Sequence, residues 1–397
     1  MIIMIKPRRE TTLPNGEHSP ENPFISLIIP MKNEESVAER ALQTLVDLDY
    51  DRYEIIVVED GSTDRTPEIC ERFARRYPEL VRYIRGSKSV GKPAALNLAI
   101  RQARGEVIGI LDADSVPPRD LLRKVAEALV PGVDAVQGWT HVLNKDENLL
   151  TLLQSYEEEA RFRSYQRRRE LGLFTPLTGS CQFIRRSVIE SLGGWDEGAL
   201  AEDAEISLRL LDINARIEHV PFIETWEEVP SSLRRLFKQR MRWFRGWVEL
   251  IPRALRRLLS KRDLISLDTL MVLSTPAGMA SIFLVVALGA ILSILPVPFI
   301  SGAVRLAYRL TSLIFLALIT LLGTLLTIFV RVPGRFLWIP AIYAYWGVQS
   351  AAAFSAVLQV MFRWPKKWEK TPKTGRTTLR SVPQKPFPEE VRADNKR

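Results

Sequence analysis

The sequence predicts an α/β domain with a mostly parallel sheet, followed by a C-terminal α-helical transmembrane region. Short apolar runs rich in β-branched residues alternate with amphipathic stretches from residue 24 to residue 230, a pattern typical of right-handed βαβ units. Acidic residues follow directly after several of these runs. From residue 264 to residue 362 the chain consists mainly of long segments with little charge.

The elements of the sheet are expected in the N-terminal half. Residues 1–23 are largely polar and predict a flexible leader. Strands are expected at Ile25–Pro30, Glu54–Glu59, Val81–Ile84 and Val107–Leu111, with helices at 35–46, 66–77 and 93–104. Several of these strands are continuously apolar, as expected where helices cover both faces of a parallel sheet.

The strand Val107–Leu111 leads directly into two carboxylates, Asp112 and Asp114. Residues i and i+2 of an extended chain point the same way, and two carboxylates that face the same way favour a cation between them. An all-oxygen site suits Mg²⁺ or Mn²⁺, held by one or two carboxylates together with substrate phosphates. The alternative interpretation is an Asp-rich turn, which Ser115–Pro118 also fits.

Polar residues from three predicted strands are expected to meet at one edge of the sheet. They are Asn33, Glu34, Glu59, Asp60, Asp112 and Asp114. Ligands of such sheets bind beyond the carboxyl ends of the strands. Lys92 opens a predicted helix, a position that favours a diphosphate but also fits a solvated lysine. The chain has no Gly-x-Gly-x-x-Gly and no P-loop sequence, which disfavours the usual dinucleotide sites.

Composition narrows the functional classes. The net charge is +9, and much of the basic charge flanks apolar segments, which favours a membrane surface over nucleic acid as a partner. Cys70 and Cys181 are the two cysteines. They lie far apart, which favours a reducing compartment without disulfides. With three histidines, zinc chemistry is disfavoured.

Residues 149–263 add further polar candidates. A loop at 178–181 enters a strand, and the acids of Ala201–Glu205 open an amphipathic helix. These acids fit ordinary helix capping, or one of them is a general base. Residues 231–263 predict amphipathic helices on the membrane surface. Within them, a hydrogen-bond donor, a cation and an aromatic ring share one side of a helix. They are Gln239, Arg242 and Trp243.

Three C-terminal segments have the length of membrane spans. They are Leu270–Leu295, Leu310–Val330 and Phe336–Phe362, and a basic tail, residues 363–397, follows them. The positive-inside rule assigns both Arg253–Arg262 and Arg363–Lys370 to the cytoplasm, yet three crossings would separate them. Either one segment does not cross fully, or the first contains an additional pass, broken near Pro276–Gly278.

Six motifs in this order resemble those of a membrane-bound family-2 glycosyltransferase. They are Pro30-x-x-Asn33-Glu34, Glu59-Asp60-Gly61-Ser62, Gly91-Lys92, Asp112-Ala-Asp114, Glu202-Asp203 and Gln239-Arg-Met-Arg242-Trp243. The chain looks like the processive synthases of cellulose, chitin, hyaluronan and poly-N-acetylglucosamine. The resemblance covers about residues 24–250 by motif. It implies a GT-A fold, Rossmann-like with a mostly parallel sheet, that binds a nucleotide-diphosphate sugar.

The resemblance implies a role for each donor-side residue. Asp60 would contact the nucleotide base, beside the strand-end segment from Pro30 to Glu34. Lys92 would face the diphosphate. Asp112 would lie near the ribose and the sugar, and Asp114 would ligate Mg²⁺ or Mn²⁺.

On the acceptor side, the resemblance makes Asp203 the catalytic base. Gln239, Arg242 and Trp243 would hold the diphosphate and the acceptor sugar. The acceptor channel would be lined by Thr178, Gly179, Ser180 and Cys181. Trp368–Thr371 is similar to the gating or C-terminal segment of these synthases. Two departures are Glu59, where the family usually has Asp, and Ala201, where it usually has Thr.

The implied function is inverting transfer from a nucleotide-diphosphate sugar, a UDP-sugar by preference, to a growing polysaccharide. The catalytic domain would be cytoplasmic and the protein integral to the cell membrane. Many synthases have membrane spans before the first motif, and no such span is predicted before Pro30. Export of a polysaccharide would therefore need the C-terminal helices, an oligomer or a partner subunit. The alternatives are single addition to a lipid, as in ceramide glucosyltransferase or polyprenyl-phosphate sugar synthases, and a non-catalytic membrane scaffold. Expected partners are therefore a glycan or lipid acceptor and membrane lipid, without nucleic acid.

Overall fold

A computed structural model describes residues 22–86, 91–294, 302–329, 339–366 and 370–376. Most of the predicted leader, Trp368 and the tail beyond residue 376 lie outside these described residues. The described part comprises a seven-stranded sheet, helices against both of its faces, and a set of longer helices that follow the sheet in sequence.

The sheet is mixed but mainly parallel, as predicted. Its strands are β1 Ile25–Met31, β2 Tyr53–Glu59, β3 Val81–Arg85, β4 Val107–Ile110, β5 Ala135–Val142, β6 Gln182–Arg185 and β7 Ile217–Glu227. Their order across the sheet is β3-β2-β1-β4-β6-β5-β7. β6 runs antiparallel to both of its neighbours, and every other pair is parallel. The four predicted N-terminal strands are confirmed.

Helices alternate with the strands and then dominate the C-terminal part. They are α1 Ala38–Val46, α2 Thr66–Arg76, α3 Lys92–Ile100, α4 Leu121–Ala128, α5 Leu149–Glu170, α6 Arg186–Ser191, α7 Glu202–Asp212, α8 Leu233–Lys261, α9 Leu264–Leu273, α10 Thr275–Ile294, α11 Gly302–Phe329 and α12 Ile339–Met361. A capping box between Asn148 and Thr151 begins α5. α8 ends where Arg262 turns left-handed, and the Asp263 side chain caps α9.

The strands are buried on both faces because helices cover both. In β1, Leu27 and Ile29 pack into one hydrophobic cluster, whereas Ile28 packs into the cluster on the opposite face. All three side chains are fully buried. This explains why Leu27, Ile28 and Ile29 form a continuous apolar run and do not alternate with polar residues.

The topology gathers one set of loops at a single edge of the sheet. β1, β2 and β4 are parallel, so their carboxyl ends meet there. β6 runs the other way, and its first residue, Gln182, pairs with Ile110 at the end of β4. The loop that precedes β6 therefore joins the same edge, next to Asp112.

The C-terminal helices are tied to the sheet domain through α8. The Arg240 guanidinium contacts the Tyr345 hydroxyl on α12 at 3.4 Å, and Arg245 contacts the Gln359 side chain at 3.0 Å. α10 packs on α12, with the Phe283 and Phe354 ring centroids 5.6 Å apart. These contacts link the predicted membrane region to the sheet domain.

Within the described ranges, one stretch is long and apolar enough to cross a membrane by length and composition, Thr275–Leu292 in α10. Ser274 separates α9 from α10, two residues before Pro276, so the helix is interrupted near the predicted position. The three predicted crossings, their topology and the predicted domain limits stay predictions.

One glycine allows α8 to approach the segment before α7. A Cβ built on Gly246 would lie 2.5 Å from the Ala201 Cβ and 2.8 Å from the Ala201 backbone nitrogen. Real Cβ atoms do not approach other atoms this closely, so only glycine permits the contact. It places Arg242, one helical turn earlier, beside Glu202 and Asp203.

Replacing Gly246 with Ala should force α8 away from Ala201. Overpacking of this kind costs about 1–3 kcal/mol, so we expect a lower unfolding temperature of the detergent-solubilised protein. Gly278→Ala is the matched control, because a Cβ there meets nothing within 4 Å and both changes share the same helix-propensity gain. Equal unfolding temperatures for the two variants would contradict this account.

Candidate active site

A cavity of about 680 Å³ opens at the carboxyl edge of the sheet. Its wall contains the predicted site residues Pro30, Glu34, Asp60, Lys92, Asp112, Asp114, Thr178, Gly179, Ser180, Asp203, Gln239, Arg242 and Trp243. Residues that are more than 200 positions apart in sequence thus share one space. The fold therefore brings these side chains to one cavity.

Cys181 is the exception, because its side chain does not line this cavity. The side chain is fully buried and belongs to a hydrophobic cluster with Val136 and Phe183, and burial raises the pKa of its thiol. Cys181 directly precedes β6, and its backbone is in the left-handed region, with φ at 51°, so the alternation of strand residues does not predict where its side chain lies.

The two carboxylates after β4 have separate cationic partners. Asp112 Oδ1 lies 2.8 Å from Lys92 Nζ, whereas Asp114 Oδ2 lies 2.7 Å from Lys373 Nζ. Asp114 also accepts the backbone N–H of Glu228 at 2.7 Å. The sequence analysis expected one cation between the carboxylates, but each has its own ammonium group.

Lys92 joins three parts of the cavity wall. Besides Asp112, its ammonium group contacts the Gly179 carbonyl oxygen at 2.8 Å and Glu202 Oε1 at 3.3 Å. Burial opposes the charged form, but Asp112 and Glu202 outweigh it and raise the pKa of Lys92. Lys92 is therefore a fixed positive charge in the cavity.

Asp60 and Glu34 lie where β2 and β1 end. The backbone N–H of Gly91 donates to Asp60 Oδ2 at 3.0 Å. Glu34 Oε2 lies 2.8 Å from Lys370 Nζ. Burial raises the pKa of Glu34 to about 7, even though Lys370 opposes the shift.

Residues 370–376, the returning segment, were only partly anticipated from the sequence. Besides Asp114, Lys373 Nζ contacts the Glu228 carbonyl oxygen at 2.8 Å. Glu228 Oε2 accepts the backbone N–H groups of Thr374 at 2.9 Å and Gly375 at 3.2 Å. Lys370 and Thr371 were singled out from the sequence, but Lys373 and Glu228 were not. The signal that could have indicated Lys373 is the run of basic residues after the last apolar segment.

Glu227 is a further carboxyl group that the sequence analysis missed. It lines the cavity and accepts hydrogen bonds from the hydroxyls of Ser115 and Ser180. Burial raises its pKa to about 8, and the charges of Asp112 and Asp114 add to the shift. Its position at the end of β7 follows the same strand-end rule, but that strand was not predicted.

Asp203 lies in the first turn of α7, across the cavity from the strand ends. Its Oδ1 accepts the backbone N–H of Ala204 at 2.8 Å. A Cβ on Gly179 would lie only 3.2 Å from Asp203 Oδ2, so the loop before β6 passes directly over this carboxylate. Burial raises the pKa of Asp203 to about 6, and the neighbouring Glu202 adds to the shift.

α8 supplies the opposite wall. Burial lowers the pKa of Arg242, opposed by Glu202, Asp203 and Asp112. The Arg240 guanidinium lies over the Trp243 ring, 4.5 Å from its centroid. Arg240 is in turn 2.5 Å from Glu157 on α5. This ion pair fixes the orientation of the Trp243 ring at the cavity wall.

With this geometry established, the chain can be compared with known proteins. Residues 26–193 match the family described as Glycosyl transferase family 2. These residues form a glycosyl transferase family 2 domain. The predicted family 2 assignment is therefore confirmed for residues 26–193, whereas the membrane-bound and processive character stays a prediction.

Curated relatives of the glycosyltransferase domain fall into different classes. A protein named "Probable glycosyltransferase YdaM" from Bacillus subtilis is 35% identical over 58% of this chain and 56% of its own length. A beta-monoglucosyldiacylglycerol synthase from Synechocystis is 34% identical over 56% of this chain and 48% of its own length. A poly-beta-1,6-N-acetyl-D-glucosamine synthase from Staphylococcus epidermidis is 29% identical over 64% and 61%. The chain thus spans about half the length of these relatives.

A solved structure confirms the fold. The mannosyltransferase PcManGT from Pyrobaculum calidifontis, in complex with GDP-Man and Mn²⁺, covers 86% of this chain and 88% of its own, with a TM-score of 0.57 and 22% identity. At this identity the similarity establishes the fold alone. The sheet of the glycosyltransferase domain is therefore the GT-A type.

The acidic end of the glycosyltransferase domain fits a hard cation. Its donors are carboxylate and carbonyl oxygens, which Mg²⁺ and Mn²⁺ prefer, and the Lys373 ammonium already stands in as a cation on Asp114 and Glu228. In the described ranges no group of three or more His, Cys, Asp or Glu side chains could hold a metal ion by itself. Asp114 would thus be one ligand among others supplied by a substrate.

Replacing Lys373 with Met should make Mn²⁺ binding to the protein roughly tenfold tighter, because the ammonium group no longer competes for the Asp114 carboxylate. The measurement is the electron paramagnetic resonance signal of free Mn²⁺, which decreases as the full-length protein binds the ion during a titration. Lys366→Met is the control, since Lys366 pairs with Glu249 and Gly198. Equal Mn²⁺ affinity in both variants would contradict the stand-in role of Lys373.

Proposed function

We propose that the protein is an inverting, metal-dependent glycosyltransferase that takes its donor from the nucleotide-diphosphate sugars, by preference a UDP-sugar. One observation carries the proposal. A buried carboxylate with a raised pKa, Asp203, shares a cavity with two fixed cations, Lys92 and Arg242, and with the acidic strand end at Asp114. The cavity would thus supply a general base, a binding site for the diphosphate and a ligand for a metal ion.

The donor would lie along the carboxyl edge of the sheet. Pro30, Glu34 and Asp60 would surround the nucleotide base, as the resemblance implies. Lys92 would neutralise the diphosphate, and Asp112, which it contacts, would lie near the ribose and sugar. Because Lys370 and Lys373 occupy the same edge, the returning segment would shift when the donor enters.

Asp114 would hold Mg²⁺ or Mn²⁺ together with donor phosphate oxygens. When bound, the metal ion would stabilise the charge that develops on the leaving diphosphate. Arg242 and Gln239 would contribute to the same stabilisation from α8, because positive groups and donors aimed at developing charge lower the barrier.

Asp203 would act as the general base. It would take the proton of the acceptor hydroxyl while the hydroxyl oxygen attacks the anomeric carbon and the bond to the diphosphate breaks. A base of raised pKa accepts a proton readily near neutral pH. The neighbouring Glu202 is engaged with Lys92, so Asp203 would be the carboxylate of this pair that faces the acceptor.

The acceptor would be held between the loop before β6 and α8. Thr178, Gly179 and Ser180 form one wall, and the Trp243 ring forms the other. Aromatic faces pack against the apolar faces of sugars and lipids alike. Two acceptor classes follow from the sequence analysis, a growing polysaccharide and a lipid, and curated relatives of both kinds support them.

The protein would act at the cell membrane, with its catalytic domain in the cytoplasm and the helices after residue 263 in or on the bilayer. The apolar stretch Thr275–Leu292 supports this placement. An oligomer or a partner subunit would be needed if the product were an exported polymer. The non-catalytic scaffold is disfavoured because Asp60, Asp112, Asp114, Asp203 and Arg242 are all in place.

The decisive assay uses the purified protein in lipid with Mg²⁺ or Mn²⁺ and radiolabelled UDP- and GDP-sugars. Products are separated by size and by solvent extraction. A polymer sensitive to a specific glycan hydrolase identifies a polysaccharide synthase, and a small organic-soluble product identifies a lipid transferase. No metal-dependent turnover with any donor would overturn the proposal.

Asp203→Asn should lower the transfer rate by about 10²–10⁴-fold, because the acceptor hydroxyl loses its base. Donor affinity, measured by calorimetry, should be retained. Asp212→Asn is the matched control at the far end of α7, where Asp212 pairs with Arg253 and Arg257, and it should keep most of the activity. A fully active Asp203→Asn variant would revive the scaffold interpretation.

The transfer rate should fall as the pH drops through about 6, the raised pKa of Asp203, because protonated Asp203 cannot accept a proton. Glu202→Gln removes one of the charges that raise this pKa, so the acid limb of the kcat/KM profile should move to lower pH. Glu190→Gln, at an exposed pair with Arg186, should leave the limb in place. If the acid limb of the kcat/KM profile stayed at the same pH in Glu202→Gln, Asp203 would be excluded as the titrating base.

A further inference from the structure

We propose that Glu227 is a second protein ligand of the divalent metal ion, which it would bind together with Asp114 and the backbone carbonyl oxygen of Glu228. This inference rests on the metal dependence stated in the proposed function and adds residues to that site. The motifs in the sequence implied Asp114 as the metal ligand and did not include Glu227 or Glu228.

The chain segments that carry Asp114 and Glu227 lie side by side. The backbone N–H of Val116 donates to the Trp226 carbonyl oxygen at 2.9 Å, and the backbone N–H of Trp226 donates to the Val116 carbonyl oxygen at 3.2 Å. The backbone N–H of Glu228 donates to Asp114 Oδ2 at 2.7 Å. Hydrogen bonds on both sides of Glu227 therefore hold it beside Asp114.

A cation already lies between these two segments. Lys373 Nζ is 2.7 Å from Asp114 Oδ2 and 2.8 Å from the Glu228 carbonyl oxygen. Burial opposes the charged form of Lys373, but nearby carboxyl groups outweigh it and raise its pKa, Asp114 most strongly and Glu227 next. Glu227 thus acts on the same cation position as Asp114.

Glu227 is buried without a charged partner of its own. Its side chain lines the cavity, and the residue is 9% exposed. Its Oε1 accepts hydrogen bonds from the hydroxyls of Ser115 and Ser180. In the part of the chain that the structure describes, no lysine or arginine forms an ion pair with Glu227, and its Oε2 has no hydrogen-bond partner. A buried carboxyl group is costly to ionise until a cation reaches it.

A divalent ion fits this pattern of charge better than an ammonium group. Lys373 brings one positive charge to two carboxyl groups, whereas Mg²⁺ or Mn²⁺ would bring two. Both ions prefer carboxylate and carbonyl oxygens, and Mg²⁺ in particular usually takes one or two carboxylates together with substrate phosphates. Asp114, Glu227 and the Glu228 carbonyl oxygen would therefore leave positions open for the diphosphate of the donor.

The alternative role of Glu227 is structural. Ser180 Oγ, which donates to Glu227, accepts the backbone N–H of Asp112 at 3.0 Å. Glu227 thus also links the loop before β6 to the end of β4. Loss of this link would loosen the cavity wall without removing a metal ligand, so the test has to separate the two roles.

The first test is Glu227→Gln, which keeps the size of the side chain and removes its charge. Mn²⁺ binding to the full-length protein in the presence of UDP is followed by the electron paramagnetic resonance signal of the free ion. We expect Mn²⁺ affinity to fall at least about tenfold. Glu218→Gln is the matched control on the same strand, because Glu218 pairs with Arg169 and Arg216. Equal Mn²⁺ affinity in the two variants would overturn the inference.

The second test is Glu227→Cys, which replaces a hard oxygen ligand with a soft thiolate that prefers Cd²⁺. We expect added Cd²⁺ to produce a thiolate-to-metal charge-transfer absorption that Asp114→Asn abolishes in the same variant. The unsubstituted protein gives the baseline, since Cys70 and Cys181 are buried in the hydrophobic core. No such absorption, or one that persists in the double variant, would mean that Glu227 and Asp114 do not share a metal ion.

Mn²⁺ binding to the unsubstituted protein separates this inference from the proposed function. If the protein binds Mn²⁺ with UDP but Glu227→Gln binds it equally well, the role of Glu227 is wrong and the proposed metal dependence stands. If the unsubstituted protein binds no Mn²⁺ with UDP, the proposed metal dependence is itself wrong, and the role of Glu227 with it.

Discussion

The structure depends on the compensation of buried negative charge at one edge of the sheet. Asp112 and Asp114 follow β4 directly, and Asp114 is only 1% exposed. A buried carboxylate is costly unless it is paired and hydrogen-bonded. Lys92 and Lys373 supply the pairing, and backbone N–H groups supply part of the hydrogen bonding. In the proposed function, a nucleotide diphosphate and its metal ion would replace these internal partners.

This compensation couples distant parts of the chain. Lys373 follows the last helix, yet it contacts a carboxylate 259 positions earlier. Arg245 reinforces the connection, because its guanidinium contacts the Gln359 side chain and the Pro365 carbonyl oxygen. The acidic edge is therefore linked physically to the segment after α12, and Arg245 links that segment to α8 and α12.

α8 is the second element on which the site depends. Its amphipathic sequence predicted a membrane-surface helix, and the structure shows that several of its side chains line the cavity. Gly246 brings it against Ala201, while Arg240 pairs with Glu157 and orients Trp243. One helix thus positions Arg242 and Trp243 relative to the carboxylate of Asp203.

The sequence by itself determined the α/β class and the four N-terminal strands. All but one of the site residues predicted from it line the cavity, because strand-end acids and helix periodicity are local signals. It did not predict that Cys181 lies in the hydrophobic core, and it did not single out Glu227, Glu228 and Lys373. Only the tertiary structure decided these, since β7 and the segment after α12 reach the site through contacts between residues far apart in sequence. The pairing of each carboxylate with its own lysine has the same origin: spacing along a strand gives direction, but the charge partner comes from whichever segment folds over it.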